Sequence, residues 1–196
     1  MEDLKVAIDK ELQYYFDVAI ADAYKKDNLI AEALEYTKVI ALSGGKRIRG
    51  ALLCWGYFGM GGKEKKKILK AAAAIELIHL FLLVHDDIID RGDLRHGKET
   101  LHKILGRKYV KNVSVQEKEH FGESMAIIIG DMLYAIAMEA ILQAGFDLKE
   151  MTSALLQLQK IVANTIIGQS QDIAIEYNKN ATTKSVLAMY ENKTAR

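Results

Sequence analysis

The stretch Ala71-Ala72-Ala73-Ala74-Ile75-Glu76-Leu77-Ile78-His79-Leu80-Phe81-Leu82-Leu83-Val84-His85-Asp86-Asp87-Ile88-Ile89-Asp90 decides how this chain reads. It is almost wholly apolar up to Val84, contains no Gly or Pro, and ends in three carboxylates. A run of that length without alternation predicts a core helix. At ~100° per residue, Asp86 and Asp90 lie ~40° apart and one turn from each other on a single face. Like charges at that spacing repel, and a helix C-terminus disfavours anions further. A site that concentrates negative charge against both effects calls for a cation. Oxygen ligands at helical spacing suit Mg²⁺, which keeps waters and bridges to phosphates. The plainer alternative is an exposed acidic helix end. An EF-hand is excluded, because counting from Asp86 puts Arg91 and Gly97 where Gly and Glu are required.

Working outward, His79 lies seven residues before Asp86 and so on nearly the same stripe. It reads either as a core histidine or as a ligand-facing one. His85, beside the carboxylates, reads as structural. Apolar positions recur at three and four residues nearly throughout the chain. They predict helices over 2–25, 30–42, 46–58, 63–90, 121–145 and 148–177. A short helix is expected near 99–105, and a last one from Thr182 or Thr183. Residues 91–98 read as a loop and 108–120 as irregular. The fold class is all-α, a bundle of long antiparallel helices, with 1–196 as one domain.

Composition supports this. The 196 residues are 50% hydrophobic, with 27 Lys+Arg against 26 Asp+Glu, one Cys and no Pro. About ten prolines would be usual at ~5%. A net charge of +1 excludes a strongly basic nucleic-acid coat, and the apolar content excludes disorder. Cys54 alone excludes a disulfide framework or Cys-based zinc site and fits a reducing compartment. The N-terminus has no signal-peptide pattern. The longest apolar run, Ala71 to Val84, is interrupted and falls short of the ~20 residues that span a bilayer. No membrane span and a cytoplasmic location are the expectations.

Four further motifs carry charge. Gly44-Gly45-Lys46-Arg47-Ile48-Arg49-Gly50 sets cations at a helix start, an anion site or a basic surface turn. It is not a Walker loop, since Arg47 follows Lys46 where Ser or Thr is required. Arg95-His96-Gly97-Lys98 follows the acidic cluster and offers cations to a diphosphate. Thr165, Gln169, Asp172 and Glu176 form a polar stripe on one long helix, facing a polar cavity or water. Lys193-Thr194 pairs a cation with a hydroxyl. The run Lys63-Glu64-Lys65-Lys66-Lys67 reads as a solvated face.

In this order, Gly-Gly-Lys-Arg-x-Arg, His-Asp-Asp-Ile-Ile-Asp, Asp-Leu-Arg-x-Gly-Lys, Gly-Gln-x-x-Asp at 168–172 and Lys-Thr-Ala at 193–195 resemble the trans-isoprenyl diphosphate synthases. The resemblance covers essentially the whole chain. It implies helices around a central substrate cavity, a homodimer, and a prenyl transfer. An allylic diphosphate (dimethylallyl, geranyl or farnesyl) ionises with Mg²⁺ assistance and is condensed with isopentenyl diphosphate. Asp86 and Asp90 would bind Mg²⁺, with Asp87 supporting. Arg95, Lys193, Gln169 and Asp172 would serve the allylic substrate and its metals, with Thr194 beside Lys193. Lys46, Arg47, Arg49 and His79 would hold isopentenyl diphosphate. The family's second Arg before the loop Gly is His96 here. Phe81 and Leu82 would help form the pocket floor, a pattern closer to C20 than C15 products. Family members continue past Lys-Thr into a second aspartate-rich motif. The resemblance therefore makes the 196 residues a fragment or a natural short form, either an active synthase or a non-catalytic diphosphate-binding or partner subunit.

Overall fold

The structure is a computed structural model that describes residues 2–95, 97–178 and 181–195. It is all-α, as expected. The helices are α1 (Glu2–Tyr24), α2 (Asn28–Leu42), α3 (Ile48–Gly59), α4 (Lys65–Ile89), α5 (Leu101–Tyr109), α6 (Val115–Leu142), α7 (Leu148–Tyr177) and α8 (Thr183–Tyr190). A π-helical turn, Glu191–Ala195, follows α8. Two compact units divide the chain, Met1–Gly145 and Phe146–Arg196. The division falls at the helix break Gly145-Phe146-Asp147.

Side-chain caps set the starts of α2, α6, α7 and α8. Asp27 caps α2 by accepting from the N–H groups of Leu29 and Ile30, and Asp147 caps α7 by accepting from Lys149. Ser114 and Glu117 form a reciprocal capping box that starts α6 at Val115, so of the stretch 108–120 expected to be irregular only 110–114 is. Thr182 and Ser185 do the same for α8. The loop expected at 91–98 holds a minimal hairpin, β1 (Leu94–Arg95) antiparallel to β2 (Lys98–Glu99), with Gly97 at φ +77°. Two-residue strands carry no hydrophobic alternation and so left no sequence signal.

In the first unit, α1 and α2 form an antiparallel pair bridged by Lys38–Asp17 and Tyr24–Glu35. Helix α4 packs along α6 and against α1 and α3, and α5 lies on α6. Their meeting faces bury Ile8, Leu12 and Phe16 of α1, Leu34 of α2, Leu77 of α4 and Leu133 of α6. Each such burial contributes about 1.5–3 kcal/mol. By length and composition alone, α4 and α6 also reach what a bilayer span needs, with mean hydropathies of 1.8 and 1.9 over their best windows. The expectation from uninterrupted apolar runs counted neither. In this fold about half of each window is buried against the protein's own core.

The α5–α6 contact depends on two glycines. A Cβ at Gly122 would stand 2.1 Å from the His102 carbonyl oxygen and 2.9 Å from the Gly106 nitrogen, both backbone atoms that cannot swing aside. Gly122→Ala is therefore expected to cost about 2–3 kcal/mol, read as a lower urea midpoint. Gly56→Ala, on an exposed turn of α3 with nothing within 4 Å, is expected to stabilise by about 0.5–1 kcal/mol.

Candidate active site

Helix α3 begins at Ile48, two residues later than expected, so Lys46 and Arg47 precede it. Arg47 adopts φ 51°, a left-handed conformation disfavoured for a side chain with a Cβ. Its guanidinium explains this. Nε donates to Asp9 at 2.6 Å, Nη2 donates to the Ala41 carbonyl, and Nη1 lies 3.9 Å from the Glu76 carboxylate. The other Glu76 oxygen accepts the Gly50 N–H at 2.9 Å, in the first turn of α3. Arg47 is thus buried and spent on the frame, away from the substrate contact expected of it. The same left-handed turn leaves Lys46 and Arg49 exposed on the other side.

Arg49 reaches α4, where its Nη1 lies 3.1 Å from His79 Nε2. Arginine can only donate, so this nitrogen accepts and His79 is neutral. Partial burial, reinforced by the nearby Arg49, Arg95 and Arg47 charges, lowers the His79 pKa to about 4.

Seven residues on, roughly 10 Å along the axis, comes the acidic end of α4. The helix stops at Ile89, and Asp90 is its cap rather than its last residue, exposed and donating its N–H to the Asp86 carbonyl. Arg95 folds back from β1 onto the carboxylates. Its Nε and Nη2 donate to Asp87 Oδ1 at 2.7 and 2.6 Å, and Nη2 lies 3.5 Å from Asp86 Oδ2. The Asp87 hydrogen bond and charge raise the Arg95 pKa above its ordinary value. The hairpin carrying Arg95 is fixed at its base, where Thr100 Oγ1 donates to the Gly92 carbonyl at 2.7 Å and Gly92 N–H donates to the Asp87 carbonyl at 2.9 Å. His96 lies outside the described residues.

His85 is structural, as read. Its Nε2 lies 3.2 Å from the Ile127 carbonyl, and its ring packs so closely on Gly130 that a Cβ there would stand 2.3 Å away. Phe81 packs edge-on to His85, with ring centroids 4.8 Å apart, and against Tyr134 of α6 at 5.4 Å. It joins α4 to α6. Leu82 is half-buried.

In the second unit, Lys193 donates to Asp172 at 2.6 Å. The π turn brings this about. Asn192 donates to Gln171 at 3.1 Å, and Gly168 lets the turn's backbone approach α7, since a Cβ there would stand 2.3 Å from the Lys193 nitrogen. Gln169 Nε2 is buried with no partner among the described residues, an orphaned donor suited to an anion. Thr194 is exposed. The pairs Gln171–Asn192, Asp9–Arg47 and Glu76–Gly50 were not foreseen. A glycine inside the otherwise helical 148–177 run was the one available hint, pointing to a close backbone approach.

The chain matches the sequence profile described as Polyprenyl synthetase over residues 27–196. It belongs to the polyprenyl synthetase family. A short chain isoprenyl diphosphate synthase of Methanocaldococcus jannaschii is 36% identical over 187 residues, covering 95% of this chain and 48% of that one. A geranylgeranyl diphosphate synthase of Saccharolobus solfataricus is 36% identical over 155 residues, covering 78% and 42%. Among solved structures, the Corynebacterium glutamicum geranylgeranyl pyrophosphate synthase, complexed with isoprenyl diphosphate and magnesium, matches with a TM-score of 0.88 at 26% identity, covering 98% of this chain and 55% of that one. The Pyrococcus horikoshii geranylgeranyl pyrophosphate synthetase gives 0.74 at 30% identity, covering 98% and 53%. This polyprenyl synthetase family member spans about half the length of the curated relatives it matches.

The His79 pair has a pH signature. The folded pKa is below the ordinary value of 6.5, so unfolded chains bind a proton first as pH falls. The stability that His79 contributes is complete above about 6.5 and is lost progressively as pH drops towards 4. A urea-midpoint series from pH 7.5 to 4.5 is expected to fall less steeply in His79→Gln than in the parent. A ring titration of His79 by NMR near 6.5 would contradict this.

Proposed function

We propose that this chain is a prenyltransferase that condenses an allylic diphosphate with isopentenyl diphosphate to a longer trans-prenyl diphosphate. The single observation behind this reading is the convergence of Asp86, Asp87 and Arg95 at the end of α4, with His79 two turns before them on the same helix and Arg49 of α3 reaching it. These are two polar stations about two turns apart along α4.

The donor set fits the implied ion. Asp86 and Asp90 offer hard carboxylate oxygens, and no group of three or more His, Cys, Asp and Glu forms a closed cage among the described residues. Few protein ligands, with water and phosphate oxygens completing the shell, is how Mg²⁺ is held in phosphate chemistry. Asp86 and Asp90 would hold it, and it would supply Lewis-acid stabilisation of the departing diphosphate.

The chain's own residues do the rest. Arg95 forks onto diphosphate oxygens and balances the charge that builds as the allylic C–O bond breaks. Lys46 and Arg49 hold the diphosphate of isopentenyl diphosphate, and neutral His79 fixes the Arg49 guanidinium by accepting from it. The double bond of isopentenyl diphosphate then bonds to the allylic cation carbon, and the departed diphosphate takes the proton lost from the adjacent carbon as a new double bond forms. By resemblance, Gln169, Asp172, Lys193 and Thr194 are assigned to the allylic diphosphate and its metals. Phe81 and Leu82 lie one turn or so before Asp86, at the level a growing tail would reach, and C15 to C20 products follow, C20 favoured. We take the working form to be a homodimer in the cytoplasm. The second reading is a non-catalytic diphosphate-binding or partner subunit.

The test is calorimetry with a bisphosphonate and Mg²⁺. Asp86→Ala and Asp90→Ala are each expected to abolish the Mg²⁺-dependent part of binding. Unchanged isotherms in both variants would contradict the site. Radiolabelled isopentenyl diphosphate incorporation, by the chain alone and mixed with a full-length synthase, separates the enzyme from the partner subunit.

Lys46→Ala and Arg49→Ala are expected to weaken isopentenyl diphosphate by about 1.5–3 kcal/mol each, the scale of a charge-assisted contact. Binding of an unreactive allylic analogue should change much less. Equal losses for both ligands would contradict two stations.

A further inference from the structure

The run Lys63-Glu64-Lys65-Lys66-Lys67 and the turn before it take no part in the site described above. Exposed apolar side chains taken singly need no explanation. At the C-terminal end of α3 they are grouped. Leu52, Trp55 and Met60 stand 58%, 46% and 90% exposed. Leu52 and Trp55 lie about 60° apart around the helix, and Met60 is its cap. The turn that follows is built rather than loose. Gly61 takes φ +87°, Gly62 seats on the Tyr57 ring so closely that no Cβ fits there, and the Glu64 N–H donates to the Tyr57 hydroxyl at 3.2 Å. Tyr57 thus braces the turn from within, and Met60 is left in solvent at its tip. Lys63, Lys65 and Lys66 follow at once. All three are exposed, and none makes a side-chain ion pair among the described residues. Lys70, farther along α4, donates instead to the Gln143 carbonyl at 3.2 Å. Glu64 is the only acid from Gly44 to Ile75.

We propose that this end of the α3–α4 hairpin is a docking surface for an anionic lipid membrane, with Trp55 and Met60 entering the interface and Lys63, Lys65 and Lys66 facing the headgroups. It goes beyond the prenyl-transfer reading and does not depend on it. Lys46 and Arg49, assigned there to a diphosphate, lie at the opposite end of α3, roughly 16 Å away along its axis.

Charge selects this occupant. Unpaired lysines beside an apolar surface complement anionic headgroups, and each near such a surface strengthens partitioning about fivefold. A second copy of this chain fits less well, because a two-fold contact here would set the lysine row against itself. The side-chain set points the same way. Tryptophan is favoured at the membrane–water boundary. Lysine stems lie along apolar surface while their heads stay in water, and methionine adapts to irregular surroundings. A projecting tip of this kind suits a fluid surface that yields around it.

Trp55 is the chain's single tryptophan, so its emission reports this position directly. The experiment titrates the chain with vesicles of phosphatidylcholine alone or with about 30% phosphatidylserine, following Trp55 emission and cosedimentation. With the anionic vesicles the emission is expected to shift to the blue and to be quenched by brominated acyl chains. Binding is expected to weaken at least about tenfold between low salt and about 0.5 M salt. Lys65→Gln combined with Lys66→Gln should cut partitioning about twenty-fivefold, two factors of five. Met60→Ser should cut it about tenfold. Lys25→Gln combined with Lys26→Gln should leave it unchanged. Those lysines are also exposed, but they lie about 25 Å farther along α1 than Ile8, which meets Gly50 of α3. No binding to anionic vesicles overturns the proposal, as does equal binding to both vesicle types. A loss no greater in the Lys65 and Lys66 variant than in the Lys25 and Lys26 variant also overturns it. Binding that leaves Trp55 emission unmoved puts the contact elsewhere on the chain and overturns it too. Trp55 shielded from acrylamide by self-association without vesicles makes this face an interface between copies, which overturns the lipid assignment. None of these outcomes touches the bisphosphonate isotherms of Asp86→Ala and Asp90→Ala, so the prenyl-transfer reading stands or fails separately.

Discussion

The first unit depends on one buried ionic knot. Arg47 joins Asp9 of α1, the last turn of α2 through Ala41, and Glu76 of α4, while Glu76 also accepts the Gly50 N–H of α3. Four helices meet at one guanidinium and one carboxylate. A charge buried in this way is tolerated only with its partners in place, and removing one partner leaves the other uncompensated. The knot also fixes direction. By turning Arg47 inward through a left-handed backbone, it presents the flanking Lys46 and Arg49 outward, and Arg49 then reaches His79. Gly50 completes the joint, because a Cβ there would stand 3.0 Å from Ile8 and 3.2 Å from the Ala72 carbonyl.

From that joint the charges along α4 acquire an order. Glu76 is buried and bound, His79 is held neutral by Arg49, and Asp86 and Asp87 face Arg95. One helix thus carries its structural acid, its neutral acceptor and the carboxylates proposed to hold metal in sequence, with apolar residues between that bind it to α6. The unfavourable concentration of anions at its C-terminal end is relieved by Arg95, a cation contributed from the following hairpin.

Much of this was legible in the residues. The helical period gave α1, α2, α3, α4 and α7 within about two positions at each end, and the one-face spacing of Asp86 and Asp90 marked the charged end of α4. Other features were not legible, for physical reasons. Arg47, Arg49 and Lys46 are chemically alike in sequence, and only the left-handed turn separates the buried one from the exposed two. Glu76 looks like a mere interruption of an apolar run until its partners 26 and 29 residues upstream in the chain are brought to it. The start of α6 was hidden because its capping box lies in a polar stretch where the apolar period has not yet begun. The Gly168 contact depends on a turn more than twenty residues away.

The most direct measurement is an anomalous diffraction map of the chain grown with Mn²⁺ and diphosphate. The account expects manganese on Asp86 and Asp90, with the Arg95 guanidinium moved from Asp87 onto phosphate oxygens. Manganese elsewhere, or Arg95 still paired with Asp87 beside a diphosphate bound at another face, would contradict it.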